Sequence, residues 1–375
     1  MNAEQGMLKC ELDENGASQS HGCSYCNIPR SFVQYSKGRL AVQEKMNTQR
    51  LETHLREYVR NRLLAPRGLA GCDFDLLEPR AGVKTFVRLV ELQGHPGFAL
   101  RVYPSWERRP ARRRLEANRL IERHGLPGPR IVAHRLGLFL LRPTIVAEER
   151  LRGRHVAPGG WTSEMAARLA EALARFHSVS SGRHGPIDKP SAGRFFDEFW
   201  GRVRHRLRGV RRRCAGRVSA RALAEAARWF RAWANRFQGL ERFDLLHDKL
   251  NPGNVLWLEA EGRFALLDFE TMQFGCRVKD LVQAEHDVLF EEEEAVHALR
   301  GAYLPRLPEP DREFAERVLP FFHAYYHLSE ASTTLKRARR ARTAGLTEGA
   351  ERRLNRHWAE MERIVGESSL GNTEY

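Results

Sequence analysis

Apolar positions change their spacing partway along this 375-residue chain, and the change divides it. Residues 1–45 are rich in Gly, Ser and Gln and show no sustained periodicity, so they read as a poorly ordered N-terminal extension. From Met46 a helical spacing begins: Leu51, Leu55, Val59 and Leu63 share one face of residues 51–64, which Pro66 and Gly68 bring to an end. Short strand-like runs follow at Phe86–Leu92, 98–102 and 131–133, the first two joined by Gly94-His95-Pro96-Gly97 as a hairpin connection. An Arg-rich helix over about 111–124 separates the second and third runs and stops at Gly125 and Pro127. A further apolar pair, 138–141 and 144–147, leads into Glu148-Glu149.

Helical spacing then takes over. Met165, Leu169, Leu173 and Phe176 share a face of residues 163–178. Strand-like runs return only briefly, at 244–246, Val255–Leu258 and 264–267, and residues 279–365 are helical with polar connections. A strand-rich part over 46–150, a mainly helical part over 151–366 and a short tail, 367–375, predict an α+β fold in two lobes.

Composition narrows the partners. Hydrophobic residues make up 42%, enough for a sizeable core, and the net charge of +15 attracts phosphate-bearing partners: nucleotide, nucleic acid, phosphorylated glycolipid or an anionic membrane face. Arg202, Arg204, Arg206, Arg208, Arg211, Arg212 and Arg213 concentrate that charge, at a spacing that spreads it around a helix. No apolar run is long enough to cross a bilayer, since Arg142 interrupts even 139–147, and no secretory signal pattern opens the chain. A reducing, cytoplasmic location is expected, with loose attachment at the inner membrane face left open. Six cysteines in a chain this long do not form a disulfide framework. Cys23 and Cys26, with Cys10 and His21 nearby, have metal-ligand spacing, but no second such pair follows.

Chemistry concentrates in His247-Asp248-Lys249-Leu250-Asn251-Pro252-Gly253-Asn254 and, one short strand later, Asp268-Phe269-Glu270. An Asn and an Asp at the ends of adjacent short strands offer hard oxygen ligands suited to Mg2+. Phosphoryl transfer requires a metal, positive charge on the phosphates and a group to orient the attacking hydroxyl. In ordered sequence and spacing, residues 247–281 resemble the signature of the aminoglycoside phosphotransferase family, which includes choline-kinase-like small-molecule kinases. That family places a His-x-Asp-x-x-x-x-Asn loop before an Asp-Phe/Trp-Glu motif, then Gly and Asp-Leu, as Gly275 and Asp280-Leu281 stand here.

The resemblance implies a protein-kinase-like fold, ATP and Mg2+ as cofactors, and a hydroxyl acceptor on a small molecule or anionic glycolipid. It implies metal binding by Asn254 and Asp268, with His247 and Asp280 supporting the loop. Phe98-Ala99-Leu100-Arg101 resembles the strand ending in the phosphate-contacting cation, and Glu116 the acid of the next helix that pairs with it. The chain departs from the pattern at one position. Lys249 occupies the slot of the catalytic Asp, and the acid comes one residue early, as Asp248. Either Asp248 still serves the cleft, or Lys249 fills the slot and the protein is a slow kinase, a pseudokinase or a nucleotide-binding regulator. A basic nucleic-acid-binding protein is the further alternative.

Overall fold

The computed structural model describes residues 48–78, 86–104, 108–137, 143–213, 218–238, 240–340 and 347–370. The Cys10, His21, Cys23 and Cys26 set lies outside the described residues, as does the 138–141 run.

Helix α1 (Thr48–Tyr58) continues through a wider turn to Leu64, burying Leu55, Val59, Leu63 and Leu64, the apolar stripe expected there. Five antiparallel strands follow: β1 (Phe74–Leu77), β2 (Phe86–Leu92), β3 (His95–Tyr103), β4 (Ile131–Arg135) and β5 (Thr144–Glu149), in the order β1-β2-β3-β5-β4. The β2–β3 turn is tighter than the sequence suggests. Gly94 takes φ 70°, the left-handed conformation that glycine tolerates, so pairing resumes at His95 and the strand absorbs three residues expected in the loop. Strand β5 runs through the sheet interior with five consecutive buried residues, Thr144–Glu148, which is why it lacks alternation. Strand β1, too short to show a period, went unread in the sequence.

Helix α2 (Arg108–His124) crosses between β3 and β4. The second lobe comprises α3 (Ser163–His177), α4 (Phe195–Arg213), α5 (Ala220–Ala232), α6 (Val278–Gln283), α7 (Glu293–Tyr303), α8 (Glu309–Arg340) and α9 (Glu348–Leu370). Thr162 starts α3 by accepting the Met165 N–H, and the predicted face, Met165, Leu169, Leu173 and Phe176, is buried. Short strands sit among the helices: β6 (Ser180–Ser181), β7 (Gly185–Pro186), β8 (Phe243–Leu246) and β11 (Gln273–Gly275) form one sheet, and β9 (Val255–Leu258) with β10 (Arg263–Leu266) a hairpin. Phe321 anchors the helical core, with Phe237 at 4.9 Å and Phe199 at 5.4 Å between ring centres.

The two lobes meet where the segment after α2 passes Phe269. A Cβ on Gly128 would collide with the Phe269 ring and approach the Leu266 carbonyl, so only glycine permits this close approach. It brings the strand-rich sheet down onto the Asp268 loop.

Candidate active site

The loop after β8 is held from below by one carboxylate. Asp280, fully buried at the start of α6, accepts the backbone N–H of His247 at 2.6 Å and of Asp248 at 3.0 Å. The His247 ring contacts the Leu267 carbonyl through Nε2 at 2.7 Å and packs edge-on to Phe269 at 5.4 Å. Burial lowers the His247 pKa, so the ring is neutral, and a carbonyl partner requires its proton on Nε2. His247 and Asp280, the two residues expected to support the loop, are thus placed together at its base.

Direction is set at the next residue. Asp248 has φ 64°, in the left-handed region, where a side chain other than Gly, Asn or Asp costs about 1 kcal/mol or more. This turn sends the Asp248 carboxylate to the Lys279 ammonium and the following side chain, Lys249, the opposite way, onto Asp268. Burial, then the guanidinium of Arg202, pushes the Lys279 ammonium down to about 7, with the Asp280 carboxylate opposing the shift. Asp268 also has φ 64°.

Asn254 donates through Nδ2 to the Lys249 carbonyl at 2.8 Å, and its own carbonyl accepts the Leu267 N–H at 2.8 Å. Asn254 and Asp268 therefore flank Lys249. From the other lobe Arg101 brings a guanidinium 3.8 Å from Asp268 Oδ1 and 3.2 Å from Glu148 Oε2. Burial alone would raise the Asp268 carboxyl; Arg101 and Lys249 outweigh it and hold its pKa below the usual carboxylate value.

Glu116 does not join this group. It lies 45% exposed against Arg119, and the expected Arg101–Glu116 pair is absent. Two residues along an α-helix is a rotation of about 200°, so when Arg114 faces inward Glu116 faces water. The acid that meets Arg101 is Glu148 on β5, which Arg114 also contacts. Burial works against Glu148 ionising, but Arg114 and Arg101 lower its pKa on balance. Arg114 lies over the Phe269 ring at 4.9 Å, its two terminal nitrogens buried without a hydrogen-bond partner. Sequence reasoning passed over Glu148 and Arg114; an acid closing an apolar strand was the available signal for the first.

Mg2+ at Asp268 and Asn254 was expected, and this arrangement does not fit it. Both Asp268 oxygens face cations, and Asp248, the nearest other loop carboxylate, is turned to Lys279. Among the described residues no group of three or more His, Cys, Asp or Glu side chains is disposed to hold a metal.

On the Lys279 side lies a pocket lined by His184, Phe195, Glu198, Arg202, Gln273 and Lys279. Arg202 donates to Glu198 at 2.7 Å and reaches Gln273 at 3.4 Å. The remaining arginines of α4 diverge: Arg206 meets the Tyr325 hydroxyl at 3.2 Å, and Arg204 lies near the Trp200 ring. The run spreads around the helix, as its spacing predicted.

A small antiparallel sheet facing a helical lobe, with a strand arginine meeting an Asp loop at their junction, defines a protein-kinase-like fold. Residues 75–314 match the profile of APH, the phosphotransferase enzyme family, and the chain belongs to that family. Among solved structures it is similar to a thermostable mutant of aminoglycoside phosphotransferase APH(4)-Ia in ternary complex with ADP and hygromycin B. That match has a TM-score of 0.54 and 16% identity, over 82% of this chain and 98% of the other. An ethanolamine kinase from Plasmodium vivax matches with a TM-score of 0.56 and 12% identity, over 84% and 91%. At such identities these likenesses speak for the fold. No curated protein sequence matches the chain. Among the described residues no helix is long and apolar enough to cross a membrane.

Proposed function

We propose that this chain is an ATP-dependent phosphotransferase that moves the γ-phosphoryl group to a hydroxyl of a small molecule bound in the pocket beside Asp248 and Lys279. The observation that carries it is the split of the loop: Lys249 and Arg101 present positive charge at Asp268, while Asp248 meets Lys279, a residue that lines the pocket. The first two suit triphosphate oxygens, and the third suits a hydroxyl proton. Lys279, in contact with Asp248, orients its carboxylate. Solved structures of an aminoglycoside phosphotransferase with ADP or AMP-PNP support a nucleotide on such a fold. The basic α4 favours an acceptor carrying negative charge, and an anionic glycolipid fits that description. The magnesium dependence implied by the family resemblance is the part of this reading that Lys249 opposes.

A second reading, nucleotide binding without transfer, is favoured by one observation: the slot of the family's catalytic Asp holds Lys249, already engaged with Asp268. Asp248→Asn separates the two. Under the first reading, γ-32P transfer to a panel of anionic glycolipids, phosphorylated sugars, amino alcohols and aminoglycosides falls at least about 100-fold while nucleotide affinity is unchanged. Absence of any wild-type transfer, with nucleotide bound, decides for the second. Transfer undiminished in Asp248→Asn rules out the assigned role.

A further inference from the structure

We infer that this chain binds the triphosphate of its nucleotide without a divalent metal ion, the Lys249 ammonium standing on Asp268 where such an ion would sit. The inference rests on the nucleotide reading above and goes beyond it by naming what neutralises the phosphates.

Each carboxylate near the junction of the lobes already has a partner. Asp268 has Lys249 on one oxygen and Arg101 at 3.8 Å from the other. Glu148 is shared by Arg101 and Arg114, Asp248 is held by Lys279, and Glu270 accepts the Tyr103 hydroxyl at 2.7 Å. Asn254 commits its amide nitrogen to the Lys249 carbonyl, which leaves one neutral oxygen as the only uncommitted side-chain donor atom at that position. A divalent ion taken from water keeps a tight octahedral shell and relies on one or two carboxylates beside the phosphates. To bind Asp268 it would have to displace an ammonium from a carboxylate that is four-fifths shielded on its surface. Like charges at contact in so enclosed a place oppose each other by several kcal/mol.

The same geometry supplies an alternative counter-charge. An ammonium has three hydrogen-bond donors. One is used on Asp268, so two remain for phosphate oxygens, and the Lys249 side chain is one-third exposed and thus reachable. Arg101 adds a guanidinium beside it, in the fork geometry that matches phosphate. Asp268 then acts as an anchor that keeps the ammonium in place, a different task from ligating a metal.

The test is calorimetric titration of the full chain with ATP in excess EDTA and in excess MgCl2. Affinity in EDTA equal to or tighter than in MgCl2 is expected, because uncomplexed ATP carries more negative charge for Lys249 and Arg101 to meet. Binding at least tenfold weaker in EDTA overturns this inference and leaves the nucleotide reading intact; no binding in either buffer overturns both. Lys249→Asp, checked for folding by thermal unfolding, is expected to lose at least tenfold in EDTA and to regain affinity with MgCl2. Lys249→Met binding as tightly as the wild type in EDTA also overturns it.

Discussion

Residues 248 and 249 are neighbours of opposite charge, and each is met by the other sign on its own side of the loop. Asp248 faces Lys279 toward the pocket, and Lys249 faces Asp268 toward the opposing lobe. The two faces are mirror versions of one ion pair, and what separates them is the left-handed backbone at Asp248. A histidine cluster elsewhere in the second lobe offers a contrast. There His286 meets His323 at 2.9 Å and His327 meets His357 at 3.0 Å, and burial lowers the pKa of His323, His327 and His357. The loop is held by charge and this corner by imidazole contacts in which the accepting nitrogen must stay unprotonated. Charged and imidazole networks therefore coexist in one core, and falling pH weakens the imidazole network first.

The largest expected effect breaks the charged side. Glu148→Ala leaves Arg101 and Arg114 facing each other without their shared acid, and stability falls by about 3–5 kcal/mol in urea unfolding. A loss below about 1 kcal/mol would show that Glu148 is not the acid that holds Arg101 and Arg114 together.

Acid sharpens the contrast. Burial pushes His323 and His327 down to about 3 and His357 to about 4, and Arg300, 3.0 Å from His323, adds to the penalty on a second proton. Unfolded histidines titrate near 6.5. Below that pH the unfolded chain binds protons that the folded cluster refuses, so stability is lost as pH falls from about 6.5 toward 4. Asp287 and Glu330, shifted upward by burial, oppose part of this, while Glu285 and Glu291 are engaged with Arg300 and His286. A net loss of about 2 kcal/mol between pH 7 and pH 5 is expected in urea unfolding. The charged side should not follow, because Asp268 and Glu148 sit below the usual carboxylate range and stay ionised. Equal stability at the two pH values would mean that the imidazole cluster takes up protons in the folded state.

The smallest effect concerns Glu116→Ala. An exposed acid paired only with Arg119 contributes within about 0.5 kcal/mol, and nucleotide affinity should not change. A tenfold loss of affinity would restore it to the site.

Sequence alone determined the α+β class, the loop 247–254 with its partner Asp268, and the anomaly at Lys249, because each is written in local pattern: apolar period, turn residues and fixed spacing. It also determined that Asp280 belongs with His247, through the spacing of a family signature. Which way two adjacent charges point was not legible, since one backbone torsion at Asp248 decides it and an acid can adopt either conformation. Nor was the exchange of Glu116 for Glu148, because helix phase and strand register at the lobe junction settle which acid a buried arginine meets. Tertiary structure decided those points, and with them which cation stands on Asp268.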